Sequence, residues 1–446
     1  MITAIPAFAP GKMLSADKVS MLILVAGLLA IVLGVLATRP KLGVLAWFAV
    51  ICFIPCWIEV TVKVSFSAAM VMAILLVLVL LPARPSYISV ADWIMGGLFI
   101  AGLAPIAVHA STKTAAFDVL TQWLTGYLVG RTIAVRVGID WIYRCVAVFF
   151  GIVAVLGLME FATSWNPFLM LKMNNAAYLE WSPQQIRGGM LRVDGAFGQS
   201  IAFGASLALA IPLVLAAKIP WRHRMTIVTL ILATEVVTFS RTGMMSAALA
   251  IGFSLLGRND MTARLRALVV TATSLIVVIA VPLLLNTYAD AGTEATGSAD
   301  YRLRLTELIP DISTLGLSSV AHVAPDGTLF FGQFRSIDSE VILMGLTYGL
   351  LAVAIALALL LVGIYLVFTR QAAPATIAVV AQIPNLLTVA LITQYQIFFW
   401  FMVGLAVYSQ AARLMSDPSR GRHDKGIRQL QPAHMTYARS DTGEDL

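Results

Sequence analysis

Three arginines, Arg192, Arg241 and Arg302, stand at or near the ends of long apolar runs. A cationic side chain is costly to keep there, so an anionic partner is expected, and a lipid-linked phosphate has that chemistry. The guanidinium fork binds phosphate oxygens in pairs and stays charged. Contacts of this kind count for more in a dry site than in water. Arg304, two positions beyond Arg302, is a reserve for the same role. The competing reading is an arginine that snorkels to an interface or pairs with a carboxylate. Asp194 and Glu235 are close enough in sequence to pair with Arg192 and Arg241. A group that takes a proton from a hydroxyl is sought in Ser336-Ile-Asp338-Ser-Glu340. Asp338 is the candidate base, and the alternative is that Asp338 and Glu340 cap the next helix. His322 is the only histidine of the same polar stretch, and His109 lies at another helix end. Asp338 and Glu340 make a weak metal set. The chain has no glycine loop of the nucleotide-binding kinds. No metal and no cofactor are expected.

The elements that must carry these residues follow from composition. The chain has 446 residues, is 59% hydrophobic and 12% charged, and has a mean hydropathy of +0.89. A soluble domain cannot hide that much apolar surface. Runs of about 17–25 apolar residues match the hydrocarbon thickness of a bilayer. The runs are continuous and not alternating, which predicts helices and not a barrel. The fold class expected is all-α, a polytopic helical membrane protein. The net charge of +7 comes from short basic clusters between apolar runs, as topology signals do, and does not imply nucleic acid. Cys52, Cys56 and Cys145 read as packing residues, not as a disulfide framework or metal ligands. The N-terminus lacks a strong basic segment before its first apolar run, which reads as a retained span.

The pattern predicts spans near 19–38, 42–60, 66–82, 91–109, 117–135, 141–162, 198–217, 225–240, 242–257, 266–286, 340–368, 374–392 and 394–412. The fifth carries Asp118, Gln122 and Arg131, so it is expected to be interior or re-entrant, and twelve spans remain without it. Basic residues such as Arg39, Arg84, Arg136, Arg222, Arg264 and Arg370 mark every second loop as cytoplasmic. The chain therefore divides into N-terminal helices (1–163), a first long outer loop (164–197), central helices (198–286), a large outer loop (287–339), C-terminal helices (340–412) and a polar, disordered cytoplasmic tail (413–446). The first loop holds Trp165, Asn166, Asn174, Asn175, Tyr178 and Trp181, which read as an interfacial belt or a sugar-stacking surface. The second is too long to be a mere connector. Its stretch Arg302–Ile312 has helical, partly amphipathic character. No internal repeat of the transporter kind is visible.

Three local patterns share an order. Arg192-Val-Asp-Gly-Ala-Phe-Gly198 opens into an apolar run that includes Pro212. Thr238-Phe-Ser-Arg241-Thr-Gly243 breaks two runs. Tyr301-Arg302 begins the last, followed by Leu315-Gly-Leu317, Ser336–Glu340, Gly345 and Gly349. With the topology, these resemble the O-antigen polymerase and ligase superfamily of bacterial surface polysaccharide assembly, over about residues 120–410. The resemblance implies transfer of a glycan from undecaprenyl diphosphate to an acceptor hydroxyl at the outer face of the inner membrane. It assigns the diphosphate to Arg192, Arg241 and Arg302. Ligases of this superfamily carry a histidine where this chain has Ser336–Glu340, a departure that favours polymerase over ligase. A flippase or transporter is the reading from another class. The partners implied are the lipid-linked glycan, membrane lipids, and a chain-length regulator and flippase of the same pathway.

Overall fold

The structure, a computed structural model, describes residues 29–61, 64–80, 88–257, 262–290, 292–324 and 329–415. The first half of the expected first span (19–28), the basic positions Arg84 and Arg258, and nearly all of the expected tail lie outside the described residues.

Among the described residues the architecture is all-α, with three short two-stranded hairpins. The first helices are α1 (Leu29–Thr38) and α2 (Pro40–Phe53), bent by 117° at their junction. Then come α3 (Ala68–Leu80), α4 (Val90–Ala107), α5 (Lys113–Asp118), a π-helical stretch (Val119–Leu124), α6 (Thr125–Val137) and α7 (Ile139–Thr163). A short α8 (Ala176–Trp181) precedes the core helices α9 (Ser200–Ala216), α10 (Trp221–Val237) and α11 (Arg241–Gly257). The chain continues through α12 (Ala263–Asp290), α13 (Gly292–Leu305), α14 (Glu340–Tyr348) and α15 (Leu350–Phe368). The described residues end with α16 (Pro374–Val380), α17 (Ile383–Thr388) and α18 (Thr393–Met415). The hairpins are β1–β2 (Glu59–Thr61, Ser65–Ser67), β3–β4 (Ile186–Arg187, Met190–Leu191) and β5–β6 (Ala321–Val323, Leu329–Phe331).

Among the described residues, four helices, α4, α7, α15 and α18, are long and apolar enough to cross a membrane, and α1–α2 makes a fifth if the bent pair is one span. Other expected spans are shorter apolar helices, including α3, α9 and the α16–α17 segment. Two of the expected runs are broken where the backbone turns. Residues 340–368 divide at Gly349, whose φ of +94° suits glycine. Residues 374–392 divide at Ala381–Gln382.

Burial explains the arrangement of the core. Helix α9 is built from small and aliphatic residues with no charge, and it is buried on all sides. That is the pattern of a central helix. The segment Lys113–Val137 is interior, with Gln122, Trp123 and Arg131 all buried. Glycines of this segment and of α18 let the two backbones meet. A Cβ on Gly404 would stand 2.1 Å from the Tyr127 carbonyl oxygen, and one on Gly126 would stand 2.8 Å from that of Ile397. Small residues allow such close crossings. Arg131 is held by Asp92, at 2.7 Å from Nε to Oδ1 and 3.0 Å from Nη2 to Oδ2. Asp92 also closes a reciprocal cap with Ser89 at the start of α4. One carboxylate thus starts α4 and ties it to α6.

Residues 287–339 hold more regular structure than an open loop. Tyr301 packs against Phe334, and Leu305, Leu308, Phe331, Phe334, Ile337 and Leu346 form a separate small core. The expected helical stretch Arg302–Ile312 is split: α13 ends at Leu305 and a tighter 3₁₀ turn covers Thr306–Asp311, with Pro310 inside it.

Candidate anion site

The hairpin β3–β4 turns through Gly188 and Gly189, at φ +52° and +73°. Two positive φ values in a two-residue turn are the tight geometry that matches strand twist. The turn folds Arg187 back alongside the strand that leads to Arg192. Arg192 accordingly receives a backbone bond: its N–H donates to the Gln185 carbonyl at 2.9 Å. The next residue is stitched to α10, with the Val193 N–H donating to the Val237 carbonyl at 3.3 Å.

Helix α11 begins at Arg241, directly after the turn Thr238–Ser240. The Ser240 hydroxyl accepts the Gly243 N–H at 3.2 Å, as an N-cap does. The positive end of the α11 dipole therefore opens at Ser240–Thr242.

These elements meet α13 at a small cavity of about 40 Å³. Arg187, Arg192, Arg241 and Arg302 line it, with Ser240 and Thr242. Such a volume holds on the order of three waters, the scale of a small polar group. The structure thus brings together Arg192, Arg241 and Arg302 across more than one hundred positions of sequence. Arg302 adds a specific demand: its Nε is buried and has no hydrogen-bond partner. An incoming acceptor oxygen would satisfy that donor. Arg192 is buried, and its Nε donates to the Thr238 carbonyl at 3.0 Å and its Nη1 to Gln185 Oε1 at 3.2 Å.

The other sequence candidates lie apart from this cavity. Arg304 is exposed and does not line it. His322 is exposed on β5 and stacks on Phe330, with ring centroids 5.6 Å apart. Asp338 is half-buried, and its Oδ1 accepts the Ser336 hydroxyl at 3.2 Å. Tyr301, the chain neighbour of Arg302, donates its hydroxyl to the Ser336 carbonyl, two positions before Asp338. Partial burial and the Asp338 charge push the Tyr301 phenol up.

The capping alternative is corrected by the geometry. Ser339 is the N-cap of α14, accepting the Ile342 N–H at 3.4 Å. Glu340 is buried, and its Oε2 accepts the Leu391 N–H at 2.8 Å, tying α14 to the turn before α18. The expected pairing of Glu235 with Arg241 is also not what forms. Both Glu235 carboxyl oxygens are buried without a hydrogen-bond partner. Gly204 and Gly243 leave the space that the carboxyl fills, between α9 and the first turn of α11.

Asp194 makes a cluster that sequence reading did not assemble. Asn166 donates to Asp194 Oδ1 at 2.8 Å and to Glu160 Oε1 at 3.2 Å. Glu160 also accepts the N–H of Gly195 at 3.0 Å. This carboxyl pair fixes the turn just after Arg192. Burial and the neighbouring Glu160 push the Asp194 carboxyl well above its ordinary value. Arg187 was missed as well. Its signal is the pair Gly188-Gly189, which predicts a hairpin returning it toward Arg192.

A larger cavity of about 590 Å³ lies among α4, α15, α16 and α18, with an apolar lining, Glu340 and Gln410 among its few polar residues. It shares no lining residue with the arginine cavity. Among the described residues, no three His, Cys, Asp or Glu side chains gather as a metal set.

Comparison with protein-family models and with curated proteins finds no match to this chain.

Proposed function

We propose that this chain is a multi-pass glycosyltransferase of the bacterial inner membrane, a polymerase that joins undecaprenyl-diphosphate-linked repeat units at the outer face. The observation that carries the reading is the cavity lined by Arg187, Arg192, Arg241 and Arg302 at the N-terminus of α11. Four guanidinium groups and a helix dipole suit a compact, highly charged anion. The motif order of Arg192, Arg241 and Arg302 supports a lipid diphosphate as that anion.

In this reading the acceptor hydroxyl oxygen attacks the anomeric carbon of the donor glycan. The bond from that carbon to the diphosphate oxygen breaks, and the electron pair leaves with the diphosphate. Arg241 and Arg302 stabilise the charge that develops there. The hydroxyl proton passes to a base, for which Asp338 is the candidate. The partners are the lipid-linked glycan and membrane lipids, with a flippase and a chain-length regulator of the same pathway.

The test is a deletion strain complemented with wild type, Arg241→Ala or Arg302→Ala, scored by polysaccharide length. The reading expects single repeat units to be made and exported without long chains in the deletion and in both variants, at normal protein abundance. Normal-length polymer that fails to join its lipid anchor would establish a ligase instead. Lipid-linked units retained on the cytoplasmic side would establish a transporter.

A further inference from the structure

Two consecutive carbonyl groups precede the first turn of α11, and each accepts a guanidinium N–H. Arg192 Nε donates to Thr238 at 3.0 Å, and Arg187 Nη1 donates to Phe239 at 3.0 Å. Phe239 has a φ of +48°. A bulky side chain rarely adopts that left-handed conformation, and where one persists the surroundings must hold it. The Phe239 ring is fully buried, with Phe161 at 6.2 Å between centroids. The backbone is pinned by the Phe239 N–H on the Val236 carbonyl at 3.0 Å and the Ser240 N–H on Thr238 Oγ1 at 3.2 Å. The two arginines complete the set from the acceptor side.

We propose that Arg187 and Arg192 are positioning residues: together they clamp the Thr238–Phe239 turn and so aim Ser240, Arg241 and Thr242 at the cavity. The clamp has a second effect. It covers two carbonyl oxygens with cationic donors beside the cavity, so they present less negative potential to an arriving anion. The four arginines then divide by task. Arg187 and Arg192 hold the wall, and Arg241 and Arg302 meet the ligand. Arg187 is placed for this by the Gly188-Gly189 turn, and Gln185 secures Arg192 by accepting from its Nη1. The proposal rests on the reading of the cavity as an anion site.

Amide hydrogen exchange on the full chain in lipid nanodiscs separates holding from binding. Arg187→Met and Arg192→Met should speed exchange across residues 238–244 about tenfold with no ligand present. They should also weaken binding of inorganic diphosphate, measured by calorimetry. Arg187→Lys keeps a donor for the Phe239 carbonyl and should keep exchange slow. Arg302→Met should weaken diphosphate binding while leaving exchange across 238–244 as in wild type. Unchanged exchange in Arg187→Met would overturn the clamp, and diphosphate binding lost while exchange stays unchanged would make Arg187 a direct contact instead. If Arg192→Met does not fold, Arg187→Met decides alone. If wild type binds no diphosphate, the anion-site reading falls, and the exchange measurement still decides the clamp.

Discussion

The Glu235 carboxyl occupies the space in which a side chain on Gly243 would begin: a Cβ there would stand 2.2 Å from Glu235 Oε1. Gly243 closes the turn motif that carries Arg241, so the motif glycine and a buried acid two turns away in sequence define each other. Gly243→Ala should therefore destabilise the protein by about 1–3 kcal/mol, the usual cost of overpacking. In a Glu235→Ala background the same change should be neutral or stabilising, because alanine favours helix over glycine. Thermal unfolding of the two single variants and the double variant measures this coupling.

Asp92 and Arg131 predict a second stability effect. Their side chains are 14% and 5% exposed, and they meet at 2.7 Å. Removing one partner strands the other charge, so Arg131→Ala should cost about 3 kcal/mol, at the lower end for buried pairs because Asp92 keeps some contact with solvent. Loss of the two Arg131 bonds, with the Tyr127 hydroxyl still donating to Asp92, should show as a lowered midpoint of thermal unfolding.

The Asp194 carboxyl gives a pH dependence of known sign. Burial and Glu160 favour its protonated form in the fold, while Arg192 acts in the opposite sense. The folded state then binds this proton more tightly than the unfolded chain does. Its contribution to stability is full below the ordinary value of 3.8 and is withdrawn as pH rises above it. Asp194→Asn removes that titration and should flatten the fall in unfolding midpoint above pH 3.8.

Asp338→Asn separates a base from a structural residue. Ser339, not Asp338, caps α14, so asparagine at position 338 disturbs no cap and leaves an acceptor for the Ser336 hydroxyl. If Asp338 takes the acceptor proton, the variant should lose long-chain polymer at normal abundance. His322→Ala should leave chain length unchanged, because His322 lies exposed on its hairpin, stacked on Phe330. The reverse pattern would transfer the base role to His322.

The sequence made the helices legible because long apolar runs dictate them. It also made Arg192, Arg241 and Arg302 legible, because charge at the end of an apolar run is conspicuous. Lateral neighbours were harder. Arg187 joins the cavity through a hairpin only two residues long on each side, below the length at which alternation is visible. Glu235 looked like a partner for Arg241 by sequence distance, yet the helix break at Thr238–Ser240 sends the two side chains to different surroundings. The Glu160–Asn166–Asp194 cluster joins a helix, a loop and a turn, which no local pattern links. The polarity of residues 117–135 marks a segment that is interior or re-entrant, and Gln122 and Arg131 within it are buried.

Binding of undecaprenyl diphosphate to the protein in nanodiscs tests the arginine cavity most directly. Wild type should bind it. Arg241→Ala and Arg302→Ala should each weaken binding tenfold or more, the loss of at least one charge-assisted contact. Arg304→Ala should bind as wild type does, because Arg304 lies outside the cavity. No binding by wild type, or equal losses in Arg302→Ala and Arg304→Ala, would contradict the assignment of the diphosphate to this site.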